Sequence, residues 1–469
     1  MRLNIAGPSG AALRLGNAAL PSSVARLREQ AGALTLILLL AFTVRIFWIA
    51  FSGWNPTPDD DAFRYDFTAR ALADGLGYIH LNGEPTAFWP PGYPLLLAGA
   101  FSLFGQHLEV AQIMNALLGT ATAGLVYLIG LRLFGRRPAL IAAAIVAFFP
   151  SLIFFTAVTV SEIAFTFFAL LAVLLLLIEA QGARDRSAGS GRSPSTGSGR
   201  SLRWLLAAGL VLGFASLVRG QALLLPLVLI PFWLASGIDR RGVARGIVAL
   251  ALGMGLVVAP WTVRNAVELH APVLIASNAG VDFWIGHHEA AQGDYGPAGG
   301  SELVFRHPEL SGPHREVRVN NEGFREGLAF AVSHPRDELV LPFKKLFWLY
   351  YNDEEGLRWN EGHGGQEFLS VPLRDALLAV SNVYYFAVLG LLLLGAPFWF
   401  SLRNPGRVLL VSLILYWTLI HLVFFANPRF HAPVMPVAAL LAALPLAALR
   451  FGLRDEPAPQ SRIEAEPGF

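Results

Sequence analysis

ALTLILLLAFTVRIFWIAFSGWNPTPDDDAFRYDFTARALADG occupies residues 33–75 and contains the two features that decide the fold. Its first twenty residues carry a single charge, on Arg45, and about 20 apolar residues in a helix are enough to cross a bilayer. A stretch rich in Asp, Gly and Pro follows, in which AFRYDFTARALADG has apolar residues at helical spacing as far as Gly75. The pattern predicts a spanning helix followed at once by an acidic helix outside the membrane.

The composition of the whole chain extends this interpretation. Of the 469 residues, 54% are hydrophobic and 14% are charged, and the mean hydropathy is +0.52. Soluble domains carry about 25% charged residues, so the chain is expected to be an all-α polytopic membrane protein. The net charge of +2 gives no support for a nucleic-acid partner, and the absence of cysteine excludes disulfides, thiolate catalysis and cysteine-ligated zinc.

Apolar runs predict about ten spanning helices. Two shorter apolar segments, 92–105 and 339–351, are expected to lie at the membrane interface. Arginines concentrate in alternate connecting segments, and the positive-inside rule places those segments and the N-terminus in the cytoplasm. The predicted spans lie near 33–52, 109–131, 138–157, 161–180, 204–218, 221–235, 246–262, 375–398, 408–425 and 432–449.

The predicted organisation has a linker between two groups of membrane helices. GARDRSAGSGRSPSTGSGRS (182–201) has the composition of a flexible cytoplasmic linker. Two connecting segments, 53–92 and 263–373, are predicted to lie on the outer side. The divisions are a cytoplasmic tail (1–32), a membrane module (33–180) that includes the outward loop 53–92, the linker (181–203), membrane helices (204–262), an outward loop region (263–373), membrane helices (374–450) and a cytoplasmic tail (451–469).

The adjacent carboxylates Asp59, Asp60 and Asp61 are the strongest candidates for chemistry. They precede a predicted helix, and negative charge is favoured at a helix N-terminus. One interpretation is a solvated helix start that these residues cap. Because the cluster also adjoins a membrane face, a carboxylate here is equally suited to accept a proton from a hydroxyl or to bind a cation or a sugar.

Glu162 and the segment around Trp89 are further candidates in outward positions. Glu162 lies between two predicted spans, where an acidic residue is either functional or a helix cap. Trp89-Pro-Pro-Gly-Tyr93 predicts a rigid aromatic turn back toward the bilayer, and a plain re-entrant turn explains the same pattern.

Outward arginines run against the charge bias and need a partner. Arg219 and Arg429 lie at predicted outer helix ends, and Arg45 lies within the first span. Each alone is explained by snorkelling to lipid headgroups, whereas the three together indicate a shared anionic ligand such as a phosphate. His287 and His288 are adjacent, which is poor spacing for a metal site. The sequence has no P-loop or Rossmann fingerprint.

In combination, these motifs resemble the GT-C superfamily of membrane glycosyltransferases, and in particular the protein O-mannosyltransferases, the lipid A aminoarabinose transferase and bacterial core galacturonosyltransferases. Asp60-Asp61-Ala62-Phe63-Arg64-Tyr65 matches the Asp-acidic-Ala-x-x-Tyr pattern of the first outward loop. The other matches are Pro90-Pro91-Gly92-Tyr93-Pro94, Ser161-Glu162, Arg219-Gly220 and Arg429-Phe430-His431-Ala432-Pro433.

The resemblance implies an inverting transferase that moves a sugar from a polyprenyl-phosphate donor to a hydroxyl of a glycolipid, lipopolysaccharide, polysaccharide or protein. Asp60 would be the general base, and Asp61 and Glu162 would assist it, although the triple Asp leaves the register open by one residue. The implied phosphate ligands are Arg219, Arg429, Arg264 and Arg45. The implied substrate-binding residues are Asp59, Tyr65, Trp89, Tyr93, Gln221 and His431.

One departure concerns Trp89, because the aminoarabinose transferases have a lysine before Pro-Pro, and that lysine is thought to meet the lipid phosphate. The resemblance requires no cofactor; a divalent metal near Asp60, Asp61 and Glu162 stays open without support from a ligand pattern. The expected location is the bacterial inner membrane, with the site facing the periplasm.

Two alternatives to the glycosyltransferase function stay open. One is a flippase for lipid-linked sugars, which would need ionisable residues near the bilayer midplane. The other is an O-antigen polymerase or ligase.

Overall fold

The computed structural model describes residues 22–57, 60–190, 201–296, 301–361, 367–399 and 404–449, with backbone alone for 22–31, 183–190, 301 and 398–399. Asp59 and both predicted tails beyond these ranges lie outside the described residues, as do residues 191–200 of the linker. The described residues are helical, and their β-pairing is limited to an isolated bridge between Ile79 and Pro85. The predicted all-α membrane fold is confirmed.

The chain folds into nineteen α-helices and three short 3₁₀ segments within the described ranges. The helices up to the linker are α1 (Ser22–Ser52), α2 (Asp61–Ala73), α3 (Gly92–Phe104), α4 (Leu108–Phe134), α5 (Arg136–Ala147), α6 (Pro150–Phe154) and α7 (Glu162–Ser190). Those that follow are α8 (Leu202–Val218), α9 (Leu225–Ala235), α10 (Arg240–Glu268), α11 (Ala279–Ile285), α12 (Ser301–Val304), α13 (Gly312–Ser333), α14 (Pro335–Tyr350), α15 (Glu355–Glu361), α16 (Val371–Leu394), α17 (Ala396–Trp399), α18 (Pro405–Val423) and α19 (Met435–Ala448). The 3₁₀ segments are Phe155–Ala157, Gly220–Leu224 and Pro428–Val434.

Within the described residues, seven helices are long and apolar enough to cross a membrane, and the number rises to eight if the bent pair Arg136–Ala147 and Pro150–Ala157 is one span. The predicted count of ten is therefore not confirmed. The difference arises mainly at 204–218 and 221–235, where the structure has helices Leu202–Val218 and Gly220–Ala235 that are shorter than a full span. Apolar runs of this length fit a packed helix as well as a spanning one.

The two predicted outward segments, 53–92 and 263–373, pack together at one end of the helix bundle. Arg264 joins α10 to the first of them by donating to the carbonyl oxygens of Thr86 (2.6 Å) and Tyr78 (2.8 Å). The arginine-rich connections, such as 132–137 and 240–245, lie at the opposite end, because successive spanning helices reverse direction. All groups described below as the site lie at the end that carries the two long segments.

Gly92 allows α3 to begin directly against the end of α8. A Cβ atom at this position would lie 2.5 Å from the backbone nitrogen of Val218. Any larger residue would push α3 away from α8, so the short apolar helix that the sequence predicts at the interface is held here by backbone contact. The contact sets the position of Trp89 and Tyr93 relative to the ends of the spanning helices.

Candidate active site

Four charged side chains, three of them largely buried and one partly exposed, form a cluster at the end of the bundle that carries the long segments. Glu162 Oε1 lies 2.6 Å from Arg429 Nε and 3.0 Å from Arg219 Nη1. Arg429 Nη2 also lies 3.3 Å from Asp61 Oδ2. Two guanidinium groups thus face two carboxylates and their formal charges cancel, which is the condition under which charge is tolerated in a protein interior.

Helix ends position each member of this cluster. Glu162 is the first residue of α7 and follows the buried turn 155–161, whose carbonyl oxygens receive hydrogen bonds from Gln112 and Asn115 of α4. Arg219 ends α8, and Arg429 lies in the 3₁₀ segment that precedes α19.

Aromatic rings enclose the guanidinium groups. Arg429 Cζ lies 4.6 Å from the centroid of the Trp359 ring. The centroid of the Phe430 ring lies 5.5 Å from Arg219 Cζ and 5.6 Å from Arg429 Cζ. Cations over aromatic faces are stabilised by the ring quadrupole, and the effect increases when water is excluded. The rings therefore help to hold two largely buried cations in place.

Asp60 adjoins the cluster and caps α2. Its Oδ1 accepts a hydrogen bond from the backbone nitrogen of Phe63 (2.7 Å), whereas its Oδ2 is buried without a partner among the described residues. Burial raises the pKa of Asp60 to about 6, and the neighbouring charge of Asp61 adds to the increase. The sequence-based interpretation as a helix cap and the interpretation as a functional carboxylate therefore apply to the same residue.

Three aromatic residues predicted as substrate ligands surround the carboxylates. Trp89 donates from Nε1 to Asp61 Oδ1 at 3.3 Å. Tyr65 is buried edge-on against Tyr93, with 5.5 Å between ring centroids, and Tyr93 donates its hydroxyl hydrogen to Asn115 Oδ1. The side chain of Asp61, by contrast, is 37% exposed, so the acidic end of α2 opens toward solvent.

Glu316 of α13 holds the first outward segment and was not predicted from the sequence. Its Oε2 accepts from the Thr86 hydroxyl (2.7 Å), and its Oε1 accepts from the Ala87 backbone nitrogen (2.8 Å) and the Ser277 hydroxyl (2.9 Å). The carboxylate is buried, and its partners are distant in the chain. Only the tertiary contact shows that it anchors the segment leading to Trp89.

Replacing Glu316 with alanine is expected to loosen this anchor. The change leaves the buried partners of the carboxylate without an acceptor, which costs at least roughly 2 kcal/mol. The expected result is a clear fall in the apparent unfolding temperature in detergent. Arg325→Ala, which removes an exposed side chain from the same helix, is the matched control, and equal unfolding temperatures for the two variants would contradict the anchoring role.

Four predicted site residues are not brought into the cluster. Arg45 is fully buried and donates to the carbonyl oxygens of Ala41 and Ala147, so it binds the end of α5. Arg264 binds the first outward segment, as described above.

The other two residues form contacts within the bundle. The ring nitrogens of His431 are hydrogen-bonded to Asp353 Oδ1 (3.0 Å) and to the Leu349 carbonyl oxygen. The backbone oxygen of Gln221 accepts a hydrogen bond from the Tyr416 hydroxyl.

An apolar cavity lies beside the cluster, between the spanning helices. Its volume is about 50 Å³. Phe165, one turn after Glu162, and Pro433, four residues after Arg429, are part of its wall. The remaining lining residues are Ala169, Leu170, Ala172, Val173, Leu176, Leu212, Leu225, Leu229, Leu413, Trp417, Val434 and Val437.

The described residues contain no group of three or more His, Asp or Glu side chains arranged to hold a metal ion. The groups that the cluster itself presents are carboxylates, guanidinium groups and aromatic rings.

Comparison with known proteins gives one family match and several fold matches. Residues 89–191 match the family model of dolichyl-phosphate-mannose-protein mannosyltransferases. No curated protein sequence matches the chain.

The fold matches include oligosaccharyltransferase structures from Archaeoglobus fulgidus. One, tethered to an acceptor peptide, has a TM-score of 0.54 and 16% identity over 91% of this chain. Another, AglB in complex with an inhibitory peptide and a dolichol-phosphate, has a TM-score of 0.51 and 16% identity over 89% of this chain. The chain spans about half the length of these archaeal proteins, since 50% of each is covered. ArnT from Cupriavidus metallidurans, bound to undecaprenyl phosphate, has a TM-score of 0.41 and 16% identity, covering 86% of this chain and 78% of that protein.

Proposed function

Given that the predicted resemblance to the GT-C superfamily is confirmed, we propose that this chain is a glycosyltransferase that moves a sugar from a polyprenyl-phosphate donor to an acceptor hydroxyl. The observation that carries the proposal is the pair Arg219 and Arg429, which are largely buried, share Glu162, and lie close to Asp61 of α2 and to an apolar cavity whose wall includes Pro433. A lipid-linked phosphate has the matching chemistry, with an anionic head and an isoprenoid chain. The matched family is described by such a donor, dolichyl-phosphate-mannose.

The two arginines would bind and stabilise the phosphate. Guanidinium groups form bidentate, charge-assisted bonds to phosphate oxygens. When the donor enters, its phosphate would compete with Glu162 and Asp61 for these cations. As the sugar leaves, negative charge grows on the phosphate, and fixed cations near that charge lower the barrier.

Asp60 would accept the proton of the acceptor hydroxyl. A general base works best with a pKa near the operating pH, and burial raises the pKa of Asp60 to about 6. Asp61 and Glu162 are each engaged by arginine, so their oxygens are less available to a substrate hydroxyl. Asp60 Oδ2 has no described partner to compete with a substrate hydroxyl.

The bonding changes of the proposed step are those of a direct displacement. The acceptor oxygen attacks the anomeric carbon while its proton passes to Asp60, and the bond between the anomeric carbon and the phosphate oxygen breaks. The electron pair of that bond goes to the phosphate, beside Arg219 and Arg429. Attack from the face opposite the leaving phosphate inverts the anomeric centre. The donor already contains an activated sugar, so the step requires no nucleotide.

The location proposed for this reaction is the outer face of the inner membrane. The arginine-rich connections at the other end of the bundle support a cytoplasmic N-terminus and a periplasmic site. Epitope tags at the two termini and in the exposed loop near Glu289, probed before and after permeabilisation, test this orientation. Labelling of the loop only after permeabilisation would overturn it.

The pH dependence of transfer tests the assignment of Asp60. Because the base must be deprotonated, the single-turnover rate at saturating donor is expected to rise between pH 5 and pH 7 and to fall as pH drops through about 6. The protein should remain folded over this range, which a thermal unfolding series checks. A flat profile in a folded enzyme would exclude a base with this pKa.

The donor class is tested most directly with the purified protein. In nanodiscs, native mass spectrometry should detect a bound polyprenyl phosphate or its glycosylated form after addition of lipid extract. A mass difference equal to one sugar residue would also narrow the sugar. Binding of bulk phospholipid alone, with no uptake of synthetic polyprenyl phosphate, would refute the proposed function.

A further inference from the structure

The short helix α11 of the second outward segment packs directly onto the cluster. Its buried residues Val281, Trp284 and Ile285 share an apolar core with Phe88 and Phe430. Phe88 precedes Trp89, and Phe430 follows Arg429, so these contacts hold α11 beside two members of the site. The 263–373 segment thus covers the cluster on the side away from the spanning helices.

Close contact with α13 fixes the position of α11. The backbone nitrogen of Gly280 donates to Asn320 Oδ1 at 2.8 Å. A Cβ atom at Gly280 would lie 1.8 Å from the Asn320 carbonyl oxygen, so the two backbones touch and only glycine fits. A side chain carried by α11 therefore has a well-defined place relative to α13 and the cluster.

Asp282 lies on this helix, directly after Val281, whose side chain packs with Phe88 and Phe430 beside the cluster. The carboxyl group is influenced by Asp61, Arg219 and Arg429, which come from three other parts of the chain, and Tyr295 lies within range of the same charges. The pKa of Asp282 is raised to about 7, chiefly by burial; the charge of Asp61 contributes to the increase and the two arginines oppose it. Within the described residues the one hydrogen bond to its carboxyl group comes from Asn278 Nδ2, at 3.2 Å to Oδ2.

The cluster has no need of Asp282 for its charge balance. Glu162 and Asp61 already compensate Arg219 and Arg429. A further carboxyl group near a bound phosphate would repel it, so its place in the site requires a ligand that donates hydrogen bonds. Sugar hydroxyl groups are such donors, and the sugar of a lipid-linked donor lies next to the phosphate, on the side away from the lipid chain. This is the side that α11 covers.

We propose that Asp282 binds a hydroxyl group of the donor sugar, an inference that rests on the glycosyltransferase function proposed above. Its carboxyl oxygen Oδ1, which has no hydrogen bond from the described residues, accepts the hydroxyl hydrogen, while Asn278 holds the other oxygen in place. The second outward segment then contributes to recognition of the sugar, and the spanning helices contribute to recognition of the lipid phosphate. Asp282 selects and orients the donor, and proton transfer remains with Asp60.

The test compares binding of undecaprenyl phosphate with binding of its mannosyl, glucosyl and galactosyl derivatives in nanodiscs. The glycosylated lipid that the wild type binds most tightly is then measured with Asp282→Ala, Asp282→Asn and the control Glu289→Ala, which removes an exposed carboxylate from the residues after α11. Hydrogen bonds to charged groups contribute about 1.5–3 kcal/mol, so Asp282→Ala should weaken binding of the glycosylated lipid roughly tenfold or more. Binding of undecaprenyl phosphate without a sugar should stay equal or become tighter, because a negative charge is removed.

Asp282→Asn keeps the size of the side chain, and its affinity for the glycosylated lipid is expected to lie between those of the wild type and Asp282→Ala. A parallel loss of affinity for the lipid with and without a sugar would overturn the inference, since it would indicate a structural role. Unchanged binding of both lipids would overturn it as well. If wild-type protein binds none of the four lipids, the proposed function itself fails, and this result is distinct from a failure of Asp282 alone.

Discussion

Replacement of Asp60 with asparagine is expected to lower the rate of sugar transfer roughly a hundred- to ten-thousandfold, the range that positioned proton transfer contributes. Asparagine is also a good N-cap residue, so the hydrogen bond from Phe63 and the start of α2 should survive. The variant therefore removes the basic group and little else. Single-turnover transfer and thermal unfolding, measured on the same preparation, separate the two effects.

Asp74→Asn is the matched control, since Asp74 is an exposed carboxylate at the other end of α2. It should transfer sugar at the wild-type rate. Full activity of Asp60→Asn would instead move the role of base to Asp61, whose side chain is more exposed and which adjoins Trp89. Asp61→Asn would then be the variant that loses activity.

Replacement of Arg429 with glutamine is expected to have the second large effect. Arg429 contacts both Asp61 and Glu162, and in the proposed reaction it faces the departing phosphate. Loss of one such stabilising donor typically costs roughly a hundred- to a thousandfold in turnover. The change also leaves the buried Glu162 with Arg219 as its remaining cation, so protein stability should fall too. Turnover and unfolding temperature are both to be measured.

Arg429→Lys distinguishes charge from geometry. The guanidinium group reaches Glu162 through Nε and Asp61 through Nη2, whereas the single nitrogen of lysine cannot span both positions. The turnover of the lysine variant should therefore stay roughly tenfold or more below that of the wild type. Arg358→Gln, which removes an exposed arginine paired with Glu354, serves as the control. Restoration of full activity by lysine would show that one positive charge is sufficient.

Much of the cluster could be predicted because each of these members is a charged residue in a position where that charge is unfavourable or uncommon. Glu162 and Arg219 are charged residues at apolar helix ends, and Arg429 lies on the side where arginine is uncommon, so each needed a partner. The structure brings Glu162 within 3.0 Å of both arginines. The spanning order that placed these residues at one end came from hydropathy alone.

Other charged residues in unfavourable positions also found partners, but the sequence could not show that these partners lie outside the cluster. Arg45 binds backbone carbonyl oxygens at the end of α5, and His431 binds Asp353. A buried cation or imidazole shows the same local pattern whether its partner is a ligand, a carbonyl oxygen or a distant carboxylate. Which of these it meets is decided by helix packing, which local spacing does not encode.

Glu316 and Asp282 were missed for a related reason. Both lie in the 263–373 segment, where acidic residues are frequent and most are solvated, so neither position stands out in the sequence. Glu316 becomes distinctive only through its bonds to Thr86 and Ala87, more than 200 residues away. Asp282 becomes distinctive only because α11 packs onto Phe88 and Phe430.

The internal charge balance of the cluster bears on which phosphates can reach the site. An incoming phosphate would have to displace Asp61 and Glu162 from the two arginines. Its binding free energy would therefore include only the difference between the new ion pairs and the ones that are lost. The apolar cavity that begins one turn from Glu162 supplies a further contribution, about 0.8 kcal/mol for each buried CH₂ group of a lipid chain. Nucleotide sugars, inorganic phosphate and soluble sugar phosphates carry no such chain. On the proposed function, the cluster in its resting state would therefore discriminate against water-soluble phosphates and stay free for donors that arrive within the membrane.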